Sequence, residues 1–295
     1  MQLSYYPGCT LKTRARHFED SAIAAMAALG VNLVELPRWN CCGTVYSLAD
    51  DDLVHHVAPV RNLIRVREQG SSRVVTLCSF CYNTLKRADL LMKGNPEARD
   101  ALNRFMDEET DYDGQVEVSH LLQVLRDDIG WEAVAGKVRR PLDGLKVVAY
   151  YGCTLTRPEE AAIDSVERPT VLQKLLETLG ASVIDFPLAT ECCGSFEIVG
   201  NAESVTERTR AILGMAARVG AEVVVVSCPL CSHNLGERRV DPARKGSDFA
   251  AMPVVYFSQL LALALGVAPG DCGFDRCPGN VEGLLEEKGL LSRNA

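Results

Sequence analysis

Short apolar, β-branched runs alternate along this chain with segments whose apolar residues recur every three or four positions. The runs at 3–6, 32–35 and 74–77 predict strands, and the stretches 18–29, 51–68 and 82–92 carry the spacing of amphipathic helices. The later part of the chain shows the same order, with strands predicted at 147–150, 182–185 and 223–226. This alternation predicts an α/β fold in which small, mostly parallel sheets are flanked by helices. Sites in such sheets gather in the loops beyond the carboxyl ends of the strands.

The order repeats because the sequence does. "LSYYPGCTL" from Leu3 matches "VAYYGCTL" from Val148, and "GVNLVELPRWNCCG" from Gly30 matches "GASVIDFPLATECCG" from Gly180. "RVVTLCSFCYNTL" from Arg73 matches "EVVVVSCPLCSHNL" from Glu222, and "VSHLLQVL" from Val118 matches "FSQLLALAL" from Phe257. Matching segments in one order predict two tandem, pseudo-symmetric domains, 1–140 and 141–295, the second with a carboxyl-terminal tail. Pro141, between Gly136 and Gly144, marks the expected connector.

Composition narrows the function. A chain of 295 residues, 47% hydrophobic and 24% charged, can bury two cores. A net charge of -8 argues against a nucleic-acid partner held by a broad basic surface. No basic stretch followed by an apolar one opens the sequence, and no apolar run approaches the roughly 20 residues of a membrane helix. The expectation is a cytoplasmic protein without a direct membrane span, membrane-associated only through partners. In that compartment disulfides are disfavoured, so the 12 cysteines point to metal ligation or redox chemistry.

Ten of those cysteines fall inside the repeat. The first set is Cys9, Cys41, Cys42, Cys78 and Cys81; the second is Cys153, Cys192, Cys193, Cys228 and Cys231. Each set reads as a lone cysteine, then C-C-G, then C-x2-C. An odd number per half is wrong for a disulfide framework. Structural zinc takes four ligands, which leaves the vicinal pair unexplained, though zinc in one half stays an alternative. Iron–sulfur ligation fits best, because thiolates can grip a polynuclear core from several sides and neighbouring cysteines can reach different metals of it. Gly43 and Gly194 are expected to give a sharp turn that brings backbone close to that core.

This duplicated pattern resembles the cysteine-rich CCG-domain family, and within it most closely the B-type subunits of heterodisulfide reductase, over roughly residues 1–266. The resemblance implies that each five-cysteine set binds a noncubane 4Fe-4S cluster. It also implies that the two clusters lie close together and that a disulfide is reduced, or formed, between them. It implies two partners: a ferredoxin-like 4Fe-4S protein of the C type and a flavin-containing protein of the A type. The chain lacks a ferredoxin cysteine run, a P-loop and G-x-G-x-x-G, so relay and flavin chemistry are expected in those partners. Related CCG proteins leave a second function open, an electron-transfer or quinone-facing subunit of a dehydrogenase complex. A zinc-stabilised, non-catalytic scaffold within a larger complex is a third.

Other residues are candidates of lesser weight. His120, paired in the repeat with Gln259, is the candidate protein group for orienting the site or moving a proton. His233 follows the second C-x2-C and is placed to tune a cluster through a hydrogen bond. His55 and His56 are expected on a solvent-facing helix. Cys272 and Cys277 have no counterpart in the first half and read as tail thiols, at a contact between subunits. The basic loop 238–246 is expected at the surface, with an anionic substrate or partner as its alternative role.

Overall fold

The computed structural model describes residues 1–45, 52–236 and 252–292. The predicted helix start at 51 and the basic loop 238–246 lie outside the described residues.

The first half runs β1 (Gln2–Tyr5), α1 (Arg16–Ala28), β2 (Asn32–Glu35), α2 (Val57–Glu68), β3 (Arg73–Thr76), α3 (Ser79–Gly94), α4 (Pro96–Phe105) and β4 (Glu117–His120). A helical turn, α5 (Leu121–Gln123), continues into a π-helical turn, and α6 (Trp131–Ala135) follows. The second half runs β5 (Lys146–Tyr150), α7 (Val171–Thr178), β6 (Ser182–Val183), α8 (Ala202–Arg218), β7 (Val223–Val226), α9 (Pro229–Leu235), β8 (Val254–Tyr256) and α10 (Phe257–Ala264). Two short helices, α11 (Pro269–Cys272) and α12 (Val281–Glu287), close the chain.

The strands form two four-stranded sheets, ordered β2-β1-β3-β4 and β6-β5-β7-β8. Every pairing is parallel, with Leu3 opposite Leu33, Val74 opposite Val118, Val147 opposite Val223 and Val224 opposite Val254. The predicted α/β class with helix-flanked parallel sheets is what the structure has. The fourth strand of each sheet was not expected: 117–120 and 254–256 are short runs joined without a break to apolar helices, so their period merges with the helix that follows.

Both sheets are covered on both faces, which explains why β3, β5 and β7 read as continuous valine-rich runs. Val74, Val75, Val147, Val148, Val224 and Val225 have essentially no exposure. One apolar cluster runs through both halves. Phe18 of α1 stacks on Tyr256 at 4.1 Å, and Ser21 hydrogen-bonds Ser258 at 2.7 Å, so the first helix of the chain packs against the last sheet. The 137–144 connector is tied down as well: Arg139 and Arg140 donate backbone N–H groups to the Ala264 carbonyl, and Leu142 donates to Leu179. The carboxyl ends of β1, β2, β3, β5, β6 and β7 all lead into the loops that carry the ten cysteines.

Candidate metal centres

In the first half, Cys9 Sγ lies 3.6 Å from Cys41 Sγ, and Cys42 Sγ lies 3.6 Å from Cys81 Sγ. Cys78 caps α3 and Cys81 sits in its first turn, so the C-x2-C spacing sets two sulfurs at a helix N-terminus, where unpaired N–H groups favour thiolate. Cys78 is held well below the ordinary thiol range, first by a hydrogen bond from Cys228, then by Cys81 and by the Cys81 and Phe80 N–H groups. Cys42 is likewise held low, by Cys41, Cys81 and the Thr44 N–H. Cys9 is pushed up, chiefly by its hydrogen bond to Cys41 and by burial.

The second half repeats the arrangement. Cys153 Sγ lies 3.9 Å from Cys192 Sγ, and Cys228 and Cys231 occupy the start of α9. Hydrogen bonds from Cys153 and Cys193, with the Gly194 N–H and the Arg208 charge, depress Cys192 to about 2. Asn234 Nδ2 reaches Cys193 Sγ at 3.5 Å and the Ser195 carbonyl at 3.0 Å. In both halves a tyrosine from the end of the first strand braces the vicinal pair: Tyr6 Oη donates to Asn40 O at 2.8 Å, and Tyr150 Oη donates to Glu191 O at 2.7 Å.

The glycines separate into two roles. Gly43 and Gly194 make the turn expected of them, with φ of 79° and 93°. Their Cα hydrogens face Ala58 and Val205 on the following helices rather than sulfur. The backbone that approaches sulfur belongs to Gly8 and Gly152. A Cβ there would stand 2.8 Å from Cys81 Sγ and 3.1 Å from Cys231 Sγ, and φ is 75° and 65°. A repeated glycine just before the lone cysteine was the sequence signal for this pair.

The two sets meet at the junction of the halves. A cavity of about 410 Å³ is lined by all five cysteines of the first set and by Cys228, with Arg14, His233, Phe80 and Tyr256 on its walls. Cys153, Cys192, Cys193 and Cys231 do not line it. Arg14 is a charged cavity residue that sequence reasoning missed, although aligning "CTLKTR" with "CTLTR" pairs it with Arg157. Cys9 and Cys41 are exposed, whereas Cys153 and Cys192 are half-buried. Among the described residues, no three histidine, cysteine or acidic side chains converge tightly enough for a single metal ion.

His120 is fully buried and does not line the cavity. Its Nε2–H donates to Leu77 O at 2.8 Å, which leaves Nδ1 to accept the Leu122 N–H at 3.2 Å and cap α5. Burial lowers its pKa to about 4. Its partner in the fold is Tyr256, not Gln259: His120–Gln123 and Tyr256–Gln259 form the same capping box at the same sheet position. Matching the apolar helical runs had slid the alignment by three residues. His55 and His56 form a short 3-10 turn before α2 and are half-buried, not solvent-facing. Cys272 and Cys277 are buried rather than placed at an exposed contact: Gln259 Nε2 donates to Cys272 O at 2.9 Å, and Cys277 Sγ donates to Gln259 Oε1 at 3.2 Å. Burial pushes both thiols up to about 12.

Fold and site define a class: a duplicated, all-parallel α/β protein that sets two five-cysteine groups on either side of one junction. The chain belongs to the cysteine-rich domain family called CCG, whose pattern matches residues 3–86 and 147–236. It is similar to the 8-methylmenaquinol:fumarate reductase membrane anchor subunit of Wolinella succinogenes, at 34% identity over 93% of this chain and 95% of that one. It is also similar to the B-type subunit of the ferredoxin/F(420)H(2)-dependent CoB-CoM heterodisulfide reductase of Methanosarcina acetivorans, at 30% identity over 93% of each chain. A solved structure of a hypothetical protein from Helicobacter pylori shares the fold, with a TM-score of 0.77 at 14% identity; the match covers 95% of this chain and 52% of that one.

Proposed function

We propose that the chain is the iron–sulfur subunit of an oxidoreductase complex of the heterodisulfide reductase type. In this reading Cys9, Cys41, Cys42, Cys78 and Cys81 bind one noncubane 4Fe-4S cluster, and Cys153, Cys192, Cys193, Cys228 and Cys231 bind a second. The observation that carries it is that Cys228 of the second set joins all five thiols of the first around one cavity, with Cys78 and Cys228 in contact across the junction. The donor chemistry suits such a group. Cys42, Cys78 and Cys192 are held toward thiolate by hydrogen bonds from neighbouring thiols and from loop N–H groups, while the same thiol contacts and burial push the other seven up, and Gly8 and Gly152 bring backbone close to sulfur. A zinc ion would use four ligands and leave one thiol of each five without a role.

When bound, each cluster supplies one electron, so two together match the two electrons of disulfide reduction, RSSR + 2e⁻ + 2H⁺ giving 2 RSH. The chain's own residues shape and brace the site. Gly8 and Gly152 let the loops close on the C-x2-C sulfurs, Tyr6 and Tyr150 fix the vicinal pairs, and Phe80, Leu230 and Tyr256 wall the cavity. Electrons come from a ferredoxin-like partner, which is supplied in turn by a flavin-containing one. Among the described residues no helix is long and apolar enough to cross a membrane, so membrane association would come through partners.

The fumarate reductase relative favours a second reading of the same centres: passing electrons between a quinol-linked partner and another protein of the complex. Oxygen-free purification followed by iron and sulfide analysis tests the common ground, with about eight of each per chain expected. Reduction of small-molecule disulfides by a reduced viologen dye then separates the two. Turnover that Cys42→Ala and Cys193→Ala each abolish supports the disulfide reading. Dye oxidation by quinones but by no disulfide supports the second. A working, iron-free chain ends both.

A further inference from the structure

The helix that carries the first C-x2-C pair also reaches into the second half. Asn83, on α3 two residues after Cys81, is essentially inaccessible to solvent. Its Nδ2 donates both hydrogens across the junction, to Thr154 O at 2.9 Å and Arg157 O at 2.8 Å. Those two carbonyls belong to the loop that begins at Cys153. One helical position earlier, Tyr82 Oη donates to Ala161 O at 2.9 Å, at the far end of the same loop. Within the second half the loop is also held by hydrogen bonds from Ile163 N–H to Leu155 O at 2.8 Å and from Arg157 Nη1 to Thr190 O at 2.8 Å, but it carries no long helix. In the first half, the lone cysteine is followed by α1, a helix of 13 residues. In the second half, the corresponding region forms only a short 3-10 turn at Glu159–Ala161 before α7 begins at Val171.

We propose that Asn83 is a positioning residue for the second metal centre. It fixes the Cys153 loop from the opposite half, so the second five-cysteine set is completed only when α3 is docked on it. The Thr154 carbonyl is buried and the Arg157 carbonyl partly so, and both accept from the Asn83 amide; without it, the buried one loses its partner at a cost that favours reopening the loop. Cys153 then leaves the place from which it meets Cys192. The first set does not depend on this bond, because Cys9, Cys41, Cys42, Cys78 and Cys81 are all carried by first-half segments. The counterpart of Asn83 in the repeat is His233, which stands at the cavity wall together with Thr10 and Arg14 of the Cys9 loop.

The inference rests on the two-cluster reading, and one experiment separates the two ideas. Wild type, Asn83→Ala and Asn83→Asp are purified without oxygen, with iron counted and the paramagnetic spectrum recorded in the reduced state. Asn83→Asp keeps the shape but turns acceptors toward two carbonyls. Both variants should hold about half the wild-type iron, retain one cluster signal and lose the other, with near-native circular dichroism. Adding Asn83→His, the residue found at the equivalent place, should restore most of the second signal. Full iron and an unchanged spectrum in Asn83→Asp would overturn the proposal. So would equal loss from both centres in folded protein. If Asn83→Ala does not fold, Asn83→Asp decides: one cluster signal in a folded chain supports the role, and two unchanged signals refute it. Absence of iron in the wild type would instead end the underlying two-cluster reading.

Discussion

Ser79 and Ser227 face each other across the junction, their hydroxyl oxygens 2.9 Å apart, each directly beside a cysteine of its C-x2-C pair. Ser79 Oγ also donates to Ser227 O at 3.0 Å. Its single hydrogen is then spent, so the hydrogen between the hydroxyls comes from Ser227. The two residues are not interchangeable. Ser79→Ala removes a donor and an acceptor and leaves the Ser227 hydroxyl buried without that partner, a loss of about 1–3 kcal/mol. Ser227→Ala removes one donor only and should cost about 1 kcal/mol. Urea unfolding of the cofactor-loaded protein should therefore rank Ser79→Ala below Ser227→Ala. The reverse order would mean that the hydroxyl assignment is wrong.

The glycines beside the lone cysteines make a graded prediction. Gly8→Ala would place a Cβ 2.8 Å from Cys81 Sγ with φ at 75°; Gly152→Ala meets Cys231 Sγ at 3.1 Å with φ at 65°. Gly70, with φ at 77° but no atom within 4 Å, isolates the backbone strain alone, about 1 kcal/mol. Iron per chain should fall most in Gly8→Ala, less in Gly152→Ala and not at all in Gly70→Ala. If Gly70→Ala loses as much iron as Gly8→Ala, the sulfur contact is not the cause.

Exposure distinguishes the centres. Cys9 and Cys41 stand at the surface, while Cys153 and Cys192 are half-buried. Access governs how readily oxidants, alkylating agents and chelators reach a thiolate. Cys9 and Cys153 are both pushed up as thiols, so exposure separates them: during limited iodoacetamide treatment, peptide mapping should find Cys9 modified several-fold faster than Cys153. The same order should hold for loss of iron to a chelator. Equal rates in both halves would contradict the asymmetry.

The repeat made much of this legible. Aligning "YYPGC" with "YYGC", and "NCCG" with "ECCG", located all ten thiols and the strands that deliver them. A strand is readable when it stands apart from the next element, as Val223–Val226 does; Val254–Tyr256 fuses into an apolar helix and disappears into its period. The same fusion misplaced the partner of His120. What sequence did not show is what acts between the halves. Ser79 and Ser227 are aligned with Pro229 and Leu77, so neither contact repeats, and a contact that breaks the duplication leaves no trace in it. Asn83 hides for the same reason, since its equivalent is a histidine. Cys272 and Cys277 carried the opposite difficulty: their spacing suggested chemistry, while burial against Gln259 makes them packing thiols.

His120 links this fold to acid. Its ring is fully buried, both nitrogens are committed, and burial holds its pKa near 4, against an ordinary value of 6.5. The unfolded chain therefore takes up a proton near pH 6.5 that the folded chain refuses until about pH 4. Between those values the unfolded state binds more protons, so stability falls as pH falls, by about 3 kcal/mol across the window, and the loss is complete below it. At neutral pH the contribution is fully present. His120→Asn keeps an oxygen that can cap α5 but carries no titratable group. It should be less stable than wild type at pH 7, because the bond to Leu77 O is strained or lost. Its stability should also decline less steeply between pH 6.5 and 4. Denaturant midpoints taken at half-unit steps across that range are the measurement. Parallel curves for the two proteins would show that His120 is not the group responsible.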